Sequence, residues 1–338
     1  MSTTYARDSD ERIAWKRNIP FIGLHLTPLL IFVTGYQTAD LILCAALYFA
    51  RMFFITAGYH RYFSHRSYKM GRGMQFLMAL GGTTAVQKGP LWWAAHHRHH
   101  HKYSDTPEDI HSPHKGLWWS HIGWIMCRKY RATDLAAVKD LAKYPELLWL
   151  NKYHAVPPAL LALGCFAWGG WSAVVVGFCW STVLCWHGTY MINSLTHLFG
   201  RRRYVTSDTS RNSLILALIT MGEGWHNNHH YYQSTANQGF FFWEIDMSYY
   251  ILRLLSFVGL VHDLRTPPKH ILEANRIRDG HTDMGMFKAN WARAVHYLES
   301  AKQGAGDYYE ARRHALDTLI ETTTQGAQRI ADMGEAGE

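Results

Sequence analysis

Between Lys152 and Arg201 the chain carries no Asp, Glu, Lys or Arg. A membrane-crossing helix takes about 20 apolar residues, so this stretch has room for two. A second stretch, between Arg17 and Arg51, has no Lys or Arg and also has room for two. In hydrocarbon, backbone polar groups are satisfied inside the segment, which leaves helices. The fold expected is therefore an all-α integral membrane protein with four transmembrane helices in two hairpins. The apolar runs are 19–34, 41–58, 156–169 and 171–193, with turns at 35–40 and near 170. Pro28 is tolerated in such a helix. Arg51 lies inside the second run and must snorkel or find a partner, because a lone charge there is costly.

The mean hydropathy of −0.19 conceals these runs, because membrane and polar parts cancel. The net charge is +8, and the basic residues lie mostly outside the apolar runs. There they meet anionic lipid head groups. No nucleic-acid motif is present, and no nucleic-acid partner is expected. The five cysteines form no C-x-x-C pair and read as small core residues. Residues 1–18 are polar for too long to be a cleaved signal peptide and read as a cytoplasmic tail. Residues 74–86 read as a buried or re-entrant segment, 102–154 as interfacial, and 240–260 as a surface-lying helix. The membrane domain is expected over 19–262. A polar helical tail follows over 263–338, helical at 286–333, with no chemistry assigned.

The chain holds 22 histidines, and many fall in clusters. HRYFSH carries His60 and His65. HHRHHH follows at 96–101. NSLTH carries Asn193 and His197, and HNNHH carries His226, His229 and His230. Neutral imidazole is the commonest metal ligand near neutral pH, so a histidine-built metal site is expected. In α-helical geometry His60 and His65 lie about 140° apart around the axis. They therefore read as feeding two neighbouring ions. Positions i, i+3 and i+4 share a helix face, but in the second cluster both His96/His99/His100 and His97/His100/His101 fit. Nine histidines suit two ions. Ligand type alone does not choose among iron, copper, zinc and nickel. A carboxylate-bridged site would use paired E-x-x-H motifs. Glu108–His111 and Glu223–His226 match, but Glu108 sits in a loop-like stretch. Glu223 reads better as an acceptor that orients a ligand histidine. With four helices, every cluster falls on one side, the side rich in Lys and Arg. The positive-inside rule makes that side, and both termini, cytoplasmic.

These motifs, in this order, resemble the membrane-bound fatty acyl desaturases of the stearoyl-CoA Δ9 type, especially bacterial members. The match is carried by HRYFSH at 60–65, HRHHHKYSDTPED at 97–109, NSLTH at 193–197 and GEGWHNNHH at 222–230. It covers about residues 15–262. The resemblance implies four membrane helices under a cytosolic helical cap holding two iron ions (Fe2+), in an inner (cell) membrane. It selects His97, His100 and His101 in the second cluster. It assigns His60, His97, His226 and His229 to one iron, with Asn193 reaching it through a water. His65, His100, His101, His197 and His230 fall to the other. The implied reaction uses O2 and two electrons to introduce a cis double bond, at Δ9, into a long-chain acyl-CoA or acyl-lipid. A kinked tunnel selects the bond, and Tyr48, twelve residues before His60, is the expected plug at its end.

There is no H-P-G-G haem motif, no ferredoxin-like cysteine set and no G-x-G-x-x-G. The electron donor is thus expected to be a separate ferredoxin-, rubredoxin- or cytochrome b5-like protein, docked on the basic face. A hydroxylase, ketolase or ether-lipid desaturase would share the histidine clusters. The second cluster together with NSLTH favours acyl desaturation. A non-catalytic metal-binding membrane protein would place polar ligands at mid-membrane. Here they gather at one face.

Overall fold

The computed structural model describes residues 5–277 and scattered positions between 295 and 313. Two compact units divide it, Met1–His281 and Thr282–Glu338. The expected helix over 286–333 lies outside the described residues. Residues 263–277 are stitched to the first unit. Ala236 N donates to Arg265 O at 2.8 Å, and Ile277 N donates to Arg203 O at 2.8 Å. The only paired strands among the described residues, β1 (Lys69–Met70) and β2 (Val261–His262), run antiparallel in the same region.

The chain is mostly helical. Among the described residues three helical stretches are long and apolar enough to cross a membrane: Trp15–Thr34, Thr38–Ser64 and Val156–His197. The first stretch holds α1 (Ile19–Leu26). Gly35, at φ +63°, breaks it from α2 (Thr38–Phe53). In the third stretch the backbone leaves helical geometry at Gly169 and at Gly170, which has φ +67°. This break separates α5 (Val156–Ser172) from a wide helical turn at Ala173–Trp180, which leads into α6 (Ser181–Ser194). Only glycine adopts that φ readily, so the chain reverses there and α5 packs back on Ala173–Trp180.

Arg51 on α2 finds its partners inside the protein and does not snorkel. Its Nη1 donates to Thr182 Oγ1 at 2.6 Å, its Nε donates to Leu47 O at 3.1 Å, and Ser181 accepts from Nη2. The guanidinium carbon lies 5.4 Å from the Phe178 ring centroid. The five cysteines are all buried and free.

Residues 5–18 are not a loose tail. Tyr5 N donates to His114 O, Ala14 N donates to Met126 O, and Arg128 N donates to Arg12 O. Glu11 is buried against Lys115 Nζ at 2.8 Å and accepts from the Tyr130 hydroxyl. Sequence polarity signalled exposure here. Burying a paired charge makes the segment a strap.

Candidate metal centre

The first cluster lies on an unusual helix. Residues Phe54–Ser64 form a wide helix, continuous with α2 and closed by His65. His65 N donates to His60 O at 3.2 Å, a bond between i and i+5. Such π-type turns recur at functional sites. Here the turn brings the two imidazole centroids to 4.8 Å. The α-helical spacing that predicted wide separation does not hold here, and the wider turn sets the two rings close together.

The second cluster lies on α4 (Pro90–Tyr103), and the third opens α8 (His226–Tyr231). Histidines four apart on an α-helix differ by about 40° around the axis, and those three apart by about 60° the other way. His97 therefore groups with His101, while His226 groups with His230. The buried or half-buried nitrogens divide into two sets. One set is His60, His65, His97, His101 and His229. The other is His100, His197, His226 and His230, and within each set ligand atoms lie within 4.8 Å of one another. This differs from the division the resemblance implied: His65 and His101 join the first set, and His226 joins the second. His197 comes from the turn just after α6.

The nitrogens of the first set fit a shared ion. The Nε2 atoms run His60–His229 at 3.0 Å, His229–His101 at 2.9 Å, His101–His97 at 2.9 Å and His97–His65 at 2.9 Å. A neutral ring nitrogen is either donor or acceptor, never both, so such a run cannot be satisfied by hydrogen bonds. Nitrogens bound at about 2.1 Å in perpendicular positions around one ion would lie about 3 Å apart. In the second set His197 and His226 Nε2 are 3.1 Å apart. His230 Nε2 is buried without a hydrogen-bond partner.

Four carboxylates hold the opposite edge of the rings. His230 Nδ1 meets Asp208 at 2.7 Å, His100 Nδ1 meets Asp109 at 3.0 Å, and His197 Nδ1 meets Asp105 at 3.2 Å. His60 Nδ1 meets Glu223. Donation from Nδ1 fixes the tautomer and leaves the Nε2 lone pair for an ion. Burial pushes the Asp105, Asp109 and Asp208 carboxyls up, but the imidazoles and hydrogen bonds around them outweigh it and hold all three well below the usual range. Burial, and then the neighbouring imidazoles, hold His65, His97, His101, His226 and His229 well below their ordinary value. They are therefore held in the neutral form, the form that can bind an ion. Glu223 is locked in turn by Arg61 at 3.0 Å, and Arg61 is also held by Asp246 at 2.9 Å.

Sequence reasoning found Glu223 and missed the three aspartates. Asp105 and Asp109 stand inside the quoted 97–109 segment, so a signal was present. Asp208 lies in an unremarkable loop. His111 lies with His100 and Asp109 in a third possible ligand group. Its ring centroid is 4.1 Å from that of His100. Glu108 is exposed and takes no part.

Two cavities reach the histidines. The larger, about 660 Å³, extends from Arg17 and Lys88 past Phe21 and Trp93 to His97 and Asn193. The smaller, about 30 Å³, touches His60, His226 and Asn193 and continues to Met52. Tyr48 lines neither cavity. Its hydroxyl donates to Ile219 O at 2.8 Å. Met52, one helical turn on, lines the smaller cavity. A Cβ at Gly188 would lie 2.6 Å from Met52 Cε and 3.1 Å from Tyr48 Oη, so the two residues meet at one spot.

Long apolar helices that carry two clusters of buried and half-buried histidines beside a cavity define a membrane-associated, metal-dependent class of protein. The chain belongs to the fatty acid desaturase family, whose model matches residues 38–257. It is 37% identical over 269 residues to an sn-1 stearoyl-lipid 9-desaturase of Anabaena variabilis, covering 79% of this chain and 99% of that one. It is 35% identical over 274 residues to an acyl-CoA C20 Delta5-desaturase of Anemone leveillei, covering 77% and 88%. An sn-2 palmitoyl-lipid 9-desaturase of Nostoc sp. (strain 36) is 39% identical over 219 residues, covering 63% and 77%. The protein is an oxidoreductase that introduces a double bond into a fatty acyl chain. The family is membrane-bound and known for di-iron sites.

Proposed function

We propose that the protein introduces a cis Δ9 double bond into a long-chain acyl-CoA or acyl-lipid. Two adjacent methylenes, O2, two electrons and two protons become an alkene and two waters. The observation that carries this reading is the 660 Å³ cavity lined by His97 and Asn193 together with apolar side chains. In this reading four helices cross the inner membrane as two hairpins, with a cytosolic cap and both termini in the cytoplasm. His60, His65, His97, His101 and His229 hold one iron, and His100, His197, His226 and His230 hold the other. Asn193 reaches the centre through a water. The two irons supply the oxygen chemistry when bound.

The chain's own residues do the positioning. Phe21, Leu24, Trp93 and Trp186 wall the cavity, exclude water and hold the chain in one register. Register is what selects the bond, because neighbouring methylenes are chemically alike. Glu223 holds His60, and Met52, with Tyr48 beside it, lines the smaller cavity, which shares His97 and Asn193 with the larger one. Electrons come from a separate ferredoxin-, rubredoxin- or cytochrome b5-like donor.

The test is aerobic expression in a bacterium without oxygen-dependent desaturation, with double bonds mapped in its total fatty acids. A Δ9-unsaturated chain that disappears with His229→Ala is expected. A hydroxylated chain would instead identify oxygen insertion.

A further inference from the structure

His121 belongs to neither nitrogen set and lines neither of the two cavities. Both of its ring nitrogens are nevertheless engaged. Nδ1 lies 2.9 Å from Ser194 Oγ, and Nε2 lies 3.0 Å from His187 Nδ1. The direction of each bond follows from the groups around it. Ser194 Oγ also lies 2.9 Å from Tyr190 O. A carbonyl only accepts, so the single hydroxyl proton of Ser194 goes to Tyr190. His121 then donates to Ser194 from Nδ1. Burial, then the His187 imidazole, pushes the His121 pKa down to about 4. The ring is therefore neutral near pH 7 and carries one proton, on Nδ1. Its Nε2 accepts, and His187 donates from Nδ1.

Both partners belong to α6. His187 and Ser194 stand seven residues apart, close to two full turns, and so share one face of the helix. His121 staples that face, and it does so from a firm base. It lies in a wide helical turn at Trp119–Gly123. Trp119 is buried and donates from its indole to Ile110 O at 3.1 Å, and Ser120 N donates to Gly116 O at 3.0 Å. Ile110 directly follows Asp109, and Asp105 stands four residues before that. The staple thus rests on the segment that carries the carboxylates of His100 and His197.

The stapled end of α6 is where the functional groups emerge. Asn193 lines both cavities. At Ser194 the backbone bends (φ −110°, ψ −62°) into the tight turn Leu195–His197. Leu198 N then donates to Leu195 O, three residues back, at 3.0 Å. Hydroxyls take the carbonyls of the preceding turn, Ser194 that of Tyr190 and Thr196 that of Ile192. The tight turn delivers His197, whose Nε2 lies 3.1 Å from His226 Nε2. Asp105 holds the His197 ring at Nδ1, but the backbone that carries the ring needs its own support. A ligand serves only when it is held within about 0.5 Å of its place.

We propose that His121 is a positioning residue of the metal centre: by donating to Ser194 and accepting from His187, it fixes the turn that brings His197 to the second nitrogen set and Asn193 to the cavity. This rests on the reading that the second set holds an ion. It is independent of which acyl chain is desaturated.

The test titrates the full-length protein, in a neutral maltoside detergent and without oxygen, with Fe2+ against a calibrated chelator. His121→Ala is expected to weaken one of the two ions by roughly tenfold and to leave the other unchanged. In a His230→Ala background, which removes the second ion, His121→Ala is expected to change nothing further. An amide N–H of asparagine falls near the Nδ1 position, and one of glutamine near Nε2. His121→Asn is therefore expected to restore the affinity, and His121→Gln is not. A merely structural role would weaken both ions together and would not separate Asn from Gln. Unaltered circular dichroism identifies folded variants, and Ser194→Ala, which removes the acceptor, is expected to reproduce the loss if the His121 variants do not fold. Two ions bound with wild-type affinity in His121→Ala would overturn the proposal, as would equal behaviour of His121→Asn and His121→Gln. Binding is read without turnover, so two tightly held ions with no desaturated product would count against the desaturase reading alone. A wild-type protein that holds no second ion would overturn the metal reading and this proposal together.

Discussion

His65 donates its backbone amide to the carbonyl of His60, five residues back, and thereby turns both imidazoles toward one point. In the proposed centre that bond groups His60 with His65 at one ion. It leads to a test by paired substitution. The double variant His60→Ala/His65→Ala is expected to retain about one iron per chain, because both residues serve one ion. His60→Ala/His226→Ala is expected to lose both. Iron stoichiometry and Mössbauer spectra read the difference. One iron retained in the second variant would restore the division in which His60 and His226 share an ion.

The aspartates are predicted to tune affinity without touching metal. Asp208→Asn and Asp109→Asn keep shape but remove the charge that fixes His230 and His100. Each should lower metal affinity by about 10–100-fold. Competition with a calibrated chelator measures this. An unchanged affinity would mean that the ring orientations are fixed by packing alone.

Metal removal should destabilise the protein. Each ion present at a hundred times its Kd, and bound only by the folded state, adds about 2.7 kcal/mol. Chelation is therefore expected to lower the melting temperature, and re-addition of Fe2+ to restore it. A melting temperature indifferent to chelation would argue that the two nitrogen sets do not hold ions.

Chain length should follow the Met52–Tyr48–Gly188 contact. Met52→Ala opens the narrow end and is expected to shift products toward longer chains. Gly188→Ala places a methyl against Met52 Cε and is expected to shift them shorter. Gas chromatography of the product acids reads both. No shift in either variant would move the end of the tunnel elsewhere.

The N-terminal strap gives a stability prediction. Glu11→Gln leaves Lys115 buried and unmatched, and breaking such a pair costs about 3–5 kcal/mol. Thermal unfolding in detergent should show it. A loss below about 1 kcal/mol, the range of an exposed pair, would mean that the strap lifts off in solution.

The sequence by itself determined the helical class, the apolar stretches and the histidines. These rest on composition and on spacing along the chain. The uncharged run from 153 to 200 demands helices wherever it lies, and no remote residue alters that demand. The break at Gly169–Gly170 was legible for the same reason, because only glycine tolerates that backbone. The grouping of the histidines was decided by the tertiary structure. It depends on a wide turn between His60 and His65, which spacing read as ordinary helix. It depends also on Asp105, Asp109 and Asp208, whose partners lie 92, 9 and 22 positions away along the chain. A carboxylate in a polar loop looks like solvent-facing charge until the fold buries it against an imidazole.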